Sequence, residues 1–183
     1  MTLFTEHADV SVRPAVAEDA PRIAEIQLAA WQAALPTHLP AELLNAAQAG
    51  ALADSWSAAI TQAPSKLHRV MVACAGAEVV GFIAGQPAHA TDESLGLDII
   101  ALEVSPAAQR AGHGSRLLTA LVDVLRPQGI TFVLTWVAAQ LDAKAAFLQG
   151  AGFLRDDATR ELQPLPGMER GLTEVRYSAL LED

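Results

Sequence analysis

Apolar positions in this chain change period several times, and each change marks a predicted element. Val10 to Arg13 reads as a short strand closed by Pro14. From Glu18 to Trp31, residues Ile23, Ile26, Ala30 and Trp31 recur at helical spacing, with acids at the start where the helix dipole favours them. Leu35-Pro36-Thr37-His38-Leu39-Pro40 breaks that helix; Ala41 to Ala63 is helical again, interrupted near Gly50 and ended before Pro64. Val70 to Cys74 and Val79 to Ile83 flank Ala75-Gly76-Ala77-Glu78, a hairpin signal. After the polar loop around Ala90-Thr91-Asp92-Glu93 comes an apolar strand, Leu97 to Val104. Leu117, Leu118, Leu121, Val122 and Leu125 then share one face of a helix over Ser115 to Arg126, stopped near Gly129. Strand Ile130 to Val137, helix Asp142 to Gln149 and a short strand, Phe153 to Arg155, follow. Pro164-Leu165-Pro166-Gly167 punctuates a loop before a final strand, Glu174 to Leu181.

Strands on either side of the 115–126 helix imply a right-handed parallel crossover within an otherwise antiparallel sheet. The predicted class is α/β: a mixed, mostly antiparallel sheet of six or seven strands, with helices on both faces. No repeat, low-complexity run or linker divides the chain, and 183 residues suit one domain over 1–183. The polar segment 1–9 is expected to be flexible.

Charge narrows the partners. Twelve basic against 21 acidic residues leave a net charge of −9, which argues against nucleic acid, whose binding needs a basic footprint. An acidic surface suits a cationic or amine ligand, or serves solubility alone. The one cysteine, Cys74, lies in an apolar run and reads as a small buried hydrophobe. No disulfide can form within the chain, which fits a reducing compartment. Residues 1–9 are unlike a signal peptide, and no apolar run approaches the ~20 residues a membrane helix needs. A soluble, cytoplasmic protein with no membrane partner is expected. His7, His38, His68, His89 and His113 lack ligand spacing, so no metal is expected.

The clearest chemistry lies where the strand ending at Val104 passes through Pro106 into Gln109-Arg110-Ala111-Gly112-His113-Gly114-Ser115. Strand, glycine loop and helix N-terminus together make an anion site, because free amides and the helix dipole both favour negative charge. A Gly-x-Gly pair alone also occurs in ordinary turns. A dinucleotide fold would place its glycines at the first strand–helix turn, with an acid ~20 residues on; here four predicted strands precede them. A Walker loop needs Gly-Lys-Ser/Thr, which is absent.

Several parts agree in order with one family. Val104-x-Pro106, Gln109-x-x-Gly112-x-Gly114 and Leu117-Leu118 resemble the pyrophosphate motif of the GNAT superfamily, the acyl-CoA-dependent N-acyltransferases. Ala146-Phe147-Leu148-Gln149-Gly150-Ala151-Gly152-Phe153 resembles its second signature, a helix ending in Gly-Phe. Arg13-Pro14-Ala15 with Glu18-Asp19-Ala20, and Glu174-Val175-Arg176-Tyr177-Ser178, resemble its opening and closing elements. The likeness spans about residues 10–181.

The resemblance implies acetyl-CoA as cosubstrate and a small-molecule or peptide amine as acceptor. In this family the fourth and fifth strands splay apart and the pantetheine arm lies between them. Main-chain groups at Leu102 to Val104 would pair with pantetheine and polarise the thioester carbonyl. Amides of Arg110, Ala111, Gly112, His113, Gly114 and Ser115 would hold the pyrophosphate, beside Gln109 and Phe147. The plainer alternative is a strand-to-helix turn, with Arg110 and Arg116 facing water. Alignment with the histone acetyltransferase branch puts Asp98 at the position of the base, and strict alternation puts it on the face of Ile100, Leu102 and Val104. Glu103, of opposite parity, is the second candidate, reachable if a bulge re-aims it; either acid could instead be a surface carboxylate. Many members carry a tyrosine where this chain has Leu148, and its only tyrosine, Tyr177, lies on the last strand. Trp31 and Trp56 are candidates for the acceptor wall, though their spacing equally suits a core. Trp136 reads as core, and Arg13, Arg69 and Lys144 read as solvated charges. The final strand, if exposed, often pairs across a dimer in this fold, so a homodimer is an expectation. Two readings stay open: an N-acetyltransferase, or a noncatalytic acyl-CoA-binding module of the same fold.

Overall fold

The computed structural model describes residues 10–88, 95–162 and 171–181. Its strands in chain order are β1 (Val10–Pro14), β2 (Arg69–Ala75), β3 (Glu78–Ala88), β4 (Gly96–Val104), β5 (Phe132–Ala138), β6 (Leu154–Leu162) and β7 (Leu172–Leu180). The helices are α1 (Ala20–Ala34), α2 (Ala41–Leu44), α3 (Gln48–Thr61), α4 (His113–Leu125) and α5 (Asp142–Gly150). The strands form one sheet ordered β1-β2-β3-β4-β5-β7-β6. Every adjacent pair is antiparallel except β4 and β5, which are joined through α4. This is the mixed α/β sheet with a central parallel crossover that the apolar pattern predicts.

Both faces of the sheet are covered. Leu117, Leu121 and Leu125 of α4 pack on Ile83, Leu97, Ile99 and Val133, with Leu148 of α5 in the same cluster. On the other face, Ile23 and Ile26 of α1 and Trp56 of α3 meet Val72, Phe82, Ala84 and Ala101. The entry to α1 is pinned by Arg13, whose guanidinium donates to both oxygens of Asp19 at 2.6 and 2.9 Å. Arg13 is therefore an anchor, not the solvated charge its sequence context suggests. That hydrogen bonding holds the Asp19 carboxyl below its ordinary range, against the opposing effect of burial.

Three elements depart from the sequence-based expectation. The 41–63 helix breaks at residues 45–47, where Asn45 Oδ1 accepts from the Ala47 amide, while Gly50 lies inside α3. A side-chain-closed turn ends α2 before glycine can matter. β6 runs to Leu162, far beyond the predicted Arg155, although most of its residues are exposed. An edge strand needs no apolar face to pair, so its polar sequence hides it. β7 pairs with β5 on one side and β6 on the other. The dimer expectation built on an exposed final strand loses that ground.

Two irregularities in β4 shape everything that follows. Gly85 pairs with Ile99 and Ala84 with Ala101, so Ile100 is an extra residue, a β-bulge. The bulge resets the alternation: Asp98, Ala101 and Glu103 oppose Gln86, Ala84 and Phe82 on the α1 face, while Leu97, Ile99 and Leu102 face α4. Asp98 thus lies on the face of Glu103, opposite Leu102. This corrects the strict alternation assumed for the sequence. The second irregularity is separation: β4 and β5 pair only from Gly96↔Phe132 to Ile99↔Thr135. Thr135 Oγ1 donates to the Ile99 carbonyl at 2.8 Å and closes the paired stretch. Beyond it, Ile100–Val104 and Trp136–Ala138 diverge.

Candidate active site

The glycine loop sits at the open end of this split. After Val104 the chain makes a single 3-10 turn, Pro106–Ala108, and Gln109 Nε2 donates back to the Val104 carbonyl at 3.3 Å. Arg110 (φ +66°) and Gly112 (φ +81°) both take the left-handed conformation, and Gly112 caps α4 with no side-chain hydrogen bond. Glycine suits such a position because it has no Cβ to clash. The Arg116 amide bonds the Gly112 carbonyl, and the residues before it begin the helix, where amides point outward unmatched. Arg116 Nη1 donates to the Ala111 carbonyl at 2.9 Å and stiffens the loop from outside. Gln109, Arg110, Ala111 and Ser115 are exposed, so the loop presents its backbone to solvent.

Behind the loop, α5 supports α4. A methyl added at Gly114 would lie 3.4 Å from the Phe147 ring, an ordinary contact. Phe147 therefore packs against the first turn of α4 through the space that glycine leaves. His113 is 4% exposed and its Nδ1 has no hydrogen-bond partner. Burial, aided by the charge of Arg116, lowers its pKa and so favours the neutral ring. Such a loop can cradle a doubly charged phosphate ester through backbone donors and the dipole of α4.

On the α1 face the split opens into a cavity of about 350 Å³. Glu103 lines it from β4 and Lys144 from α5, with Glu103 Oε1 accepting from Lys144 Nζ at 2.7 Å. α5 packs with α4 on the opposite face, so this ion pair ties β4 to α5 at the split. Lys144 is thus a site residue, not a solvated charge. Trp31 lines the cavity. Trp56 does not; it is buried, edge-on to Phe82 at 5.0 Å, and its Nε1 donates to Gln27 Oε1 at 2.7 Å. Its part is to orient Gln27, which does line the cavity. Trp136, expected in the core, is instead half-buried on the cavity wall, with the Arg160 guanidinium 4.5 Å above its ring. Glu174 completes the polar lining and accepts from Arg160 Nε at 2.6 Å.

Lys144 could have been found in the sequence: it is a lone cation on the stripe Leu141, Ala145 and Leu148 of α5. Glu174 alternates with buried Val175 and Tyr177, which also marks its face. Trp136 carried no such signal, since its strand is apolar on both sides. Leu148 is 1% exposed within the core, so the position where the resemblance expects tyrosine does not line the cavity.

Asp98 lies deeper and does not line the cavity. Its Oδ1 is buried without a partner. Burial raises its pKa and the charge of Glu174 adds to this, while a hydrogen bond from Gln86 and the charge of Arg160 oppose it. In the unfolded chain it ionises near ~3.9, so the folded state holds the proton more tightly and stability falls as pH rises through the folded value. Asp98→Asn removes this liability. Its melting temperature should gain on the parent as pH rises above about 4; a difference that does not change with pH would contradict the assignment.

Residues 21–153 match the acetyltransferase (GNAT) family. The chain belongs to that family. Comparison with curated proteins gives no match. Among solved structures, the PaiA N-acetyltransferase of Thermoplasma acidophilum in complex with coenzyme A superposes with a TM-score of 0.75. It is 16% identical, over 94% of this chain and 99% of that one. YncA of Salmonella typhimurium, solved with its cofactor acetyl-CoA, gives 0.68 at 20% identity, over 96% and 95%. A GCN5-related N-acetyltransferase from Rhodopseudomonas palustris gives 0.70 at 19%, over 99% of both chains. At these identities the likeness is one of fold. This GNAT-family chain has, among its described residues, no group of three His, Cys, Asp or Glu gathered to hold a metal ion, and no helix long and apolar enough to cross a membrane.

Proposed function

We propose that this acetyltransferase transfers the acetyl group of acetyl-CoA to a primary amine by direct attack on the thioester. The observation that carries the reading is the split after Ile99, with the glycine loop at its mouth and Glu103 on its cavity wall. In this reading the amides of Ala111 to Ser115 bind the pyrophosphate, and the unpaired side of Leu102 to Val104 receives the pantetheine arm. A backbone donor there polarises the thioester carbonyl, the kind of preorganised contact that contributes most to acyl transfer.

An alkyl ammonium has a pKa near ~10.4, so the nucleophilic amine is scarce at neutral pH. Glu103 takes the proton that the amine gives up, directly or through a water, as the new C–N bond forms and the C–S bond breaks. Lys144 holds the Glu103 carboxylate in place through its 2.7 Å contact. The thiolate leaves without a tyrosine to protonate it and takes its proton from solvent. Positioning within the cavity then supplies more of the rate than acid catalysis does. Asp98, half-buried and outside the cavity lining, keeps a structural role.

The test is release of free CoA thiol from acetyl-CoA on addition of primary amines to the purified chain. Amine-dependent release is the expected result. Acetyl-CoA binding by calorimetry without release, across a wide amine panel, would support the noncatalytic module instead.

A further inference from the structure

We infer that the amine acceptor is a small monoamine with an uncharged, apolar body, which the cavity on the α1 face holds against its aromatic wall. The inference rests on the transferase reading above and concerns the acceptor alone. Leu35, Leu39 and Leu43 of the α1–α2 region, Leu162 of β6 and Leu172 of β7 line the cavity together with Trp31 and Trp136. The charges on that wall are already matched: Glu103 with Lys144 at 2.7 Å and Glu174 with Arg160 at 2.6 Å. The described lining still holds two carboxylates against one cation, Arg160 lying outside it, so one entering ammonium is balanced there. A second ammonium would have to be desolvated against leucine and tryptophan with no free carboxylate among the described lining residues, which is costly. An acceptor carboxylate fares no better, because Lys144 is the one cation among those residues and Glu103 holds it. The carboxylates also favour an amine over the tail of a longer acyl group as occupant.

The volume limits size. About 350 Å³ lies at the lower end of ligand cavities, and the thioester must share its mouth. A peptide's folded surroundings would not enter it; a phenylalkyl or short branched alkyl amine would.

Thiol release with saturating acetyl-CoA should be compared for 2-phenylethylamine, spermidine and alanine. The expected kcat/KM for 2-phenylethylamine exceeds both others by about tenfold or more, the equivalent of ~1.4 kcal/mol. Leu162 is 40% exposed, so Leu162→Asp should fold normally, and it should narrow the preference over spermidine by about threefold or more without changing saturation by acetyl-CoA. Equal or better turnover of spermidine or alanine, or an unchanged ratio in Leu162→Asp, would overturn the acceptor class and leave the transferase reading standing. A kcat/KM that rises from acetyl- to hexanoyl-CoA and ignores the amine's body would assign the cavity to the acyl chain, and also overturn it. Thiol release with no amine at all, despite bound acetyl-CoA, would instead remove the transferase reading.

Discussion

Gly112→Glu is expected to raise the Kd for acetyl-CoA by about 100-fold or more while leaving the chain folded. Two effects combine. Gly112 caps α4 at φ +81°, a conformation that costs a residue with a Cβ about 1–2 kcal/mol. The added carboxylate would then stand beside the pyrophosphate; at an effective dielectric near 20 a like pair ~4 Å apart repels by about 4 kcal/mol. The repulsion alone exceeds the ~2.7 kcal/mol that 100-fold represents, while the conformational cost falls on stability. Space is not the obstacle, since the nearest atom to an added Cβ is Arg116 Nη1 at 3.2 Å, the end of a flexible chain. Gly112→Ala isolates the conformational part and should lose stability more than affinity. Arg110→Gly relaxes the neighbouring left-handed residue, and its effect on binding then reports the charge alone. Normal affinity in folded Gly112→Glu, by calorimetry, would contradict the pyrophosphate site.

Glu103→Gln should lower kcat by about 10²–10³-fold with little change in KM for acetyl-CoA, the range expected when a general base is removed. Glutamine keeps an oxygen for Lys144 Nζ, so the tie between β4 and α5 survives and the fold with it. Lys144→Met should cost less in kcat, since it acts on Glu103 and not on the amine. Asp98→Asn provides the comparator, with kcat near the parent's. A Glu103→Gln variant of unchanged kcat, or a loss confined to Asp98→Asn, would return the base to Asp98, the position that the resemblance to the histone acetyltransferase branch suggested.

The contrast between these two acids shows where the sequence was legible. Asp98 and Glu103 are five residues apart, and in an unbroken strand an odd spacing puts two side chains on opposite faces. Only an inserted residue brings both acids to the α1 face, and Ile100, 52% exposed, is that residue. Local propensity does not encode a bulge, because it is set by the register against β3. The same holds for Lys144: its place on the apolar stripe of α5 was readable, but its reach to Glu103 depends on β4 and β5 diverging. Trp31 and Trp56 had equivalent helical spacing, and only the packing of α1 and α3 assigned one to the cavity and the other to the core.

By itself, the sequence determined the order of elements, the parallel crossover and the glycine loop. Each of these depends on period, punctuation or backbone freedom within a few residues, so neighbouring side chains suffice to specify it. The tertiary structure alone decided which acid faces the cavity, which tryptophan lines it, and that Glu103, Lys144, Glu174 and Arg160 form one charge-matched wall. Those relations include an ion pair between residues 41 positions apart, and they exist only once the strand register, the bulge and the split have fixed the distances between them.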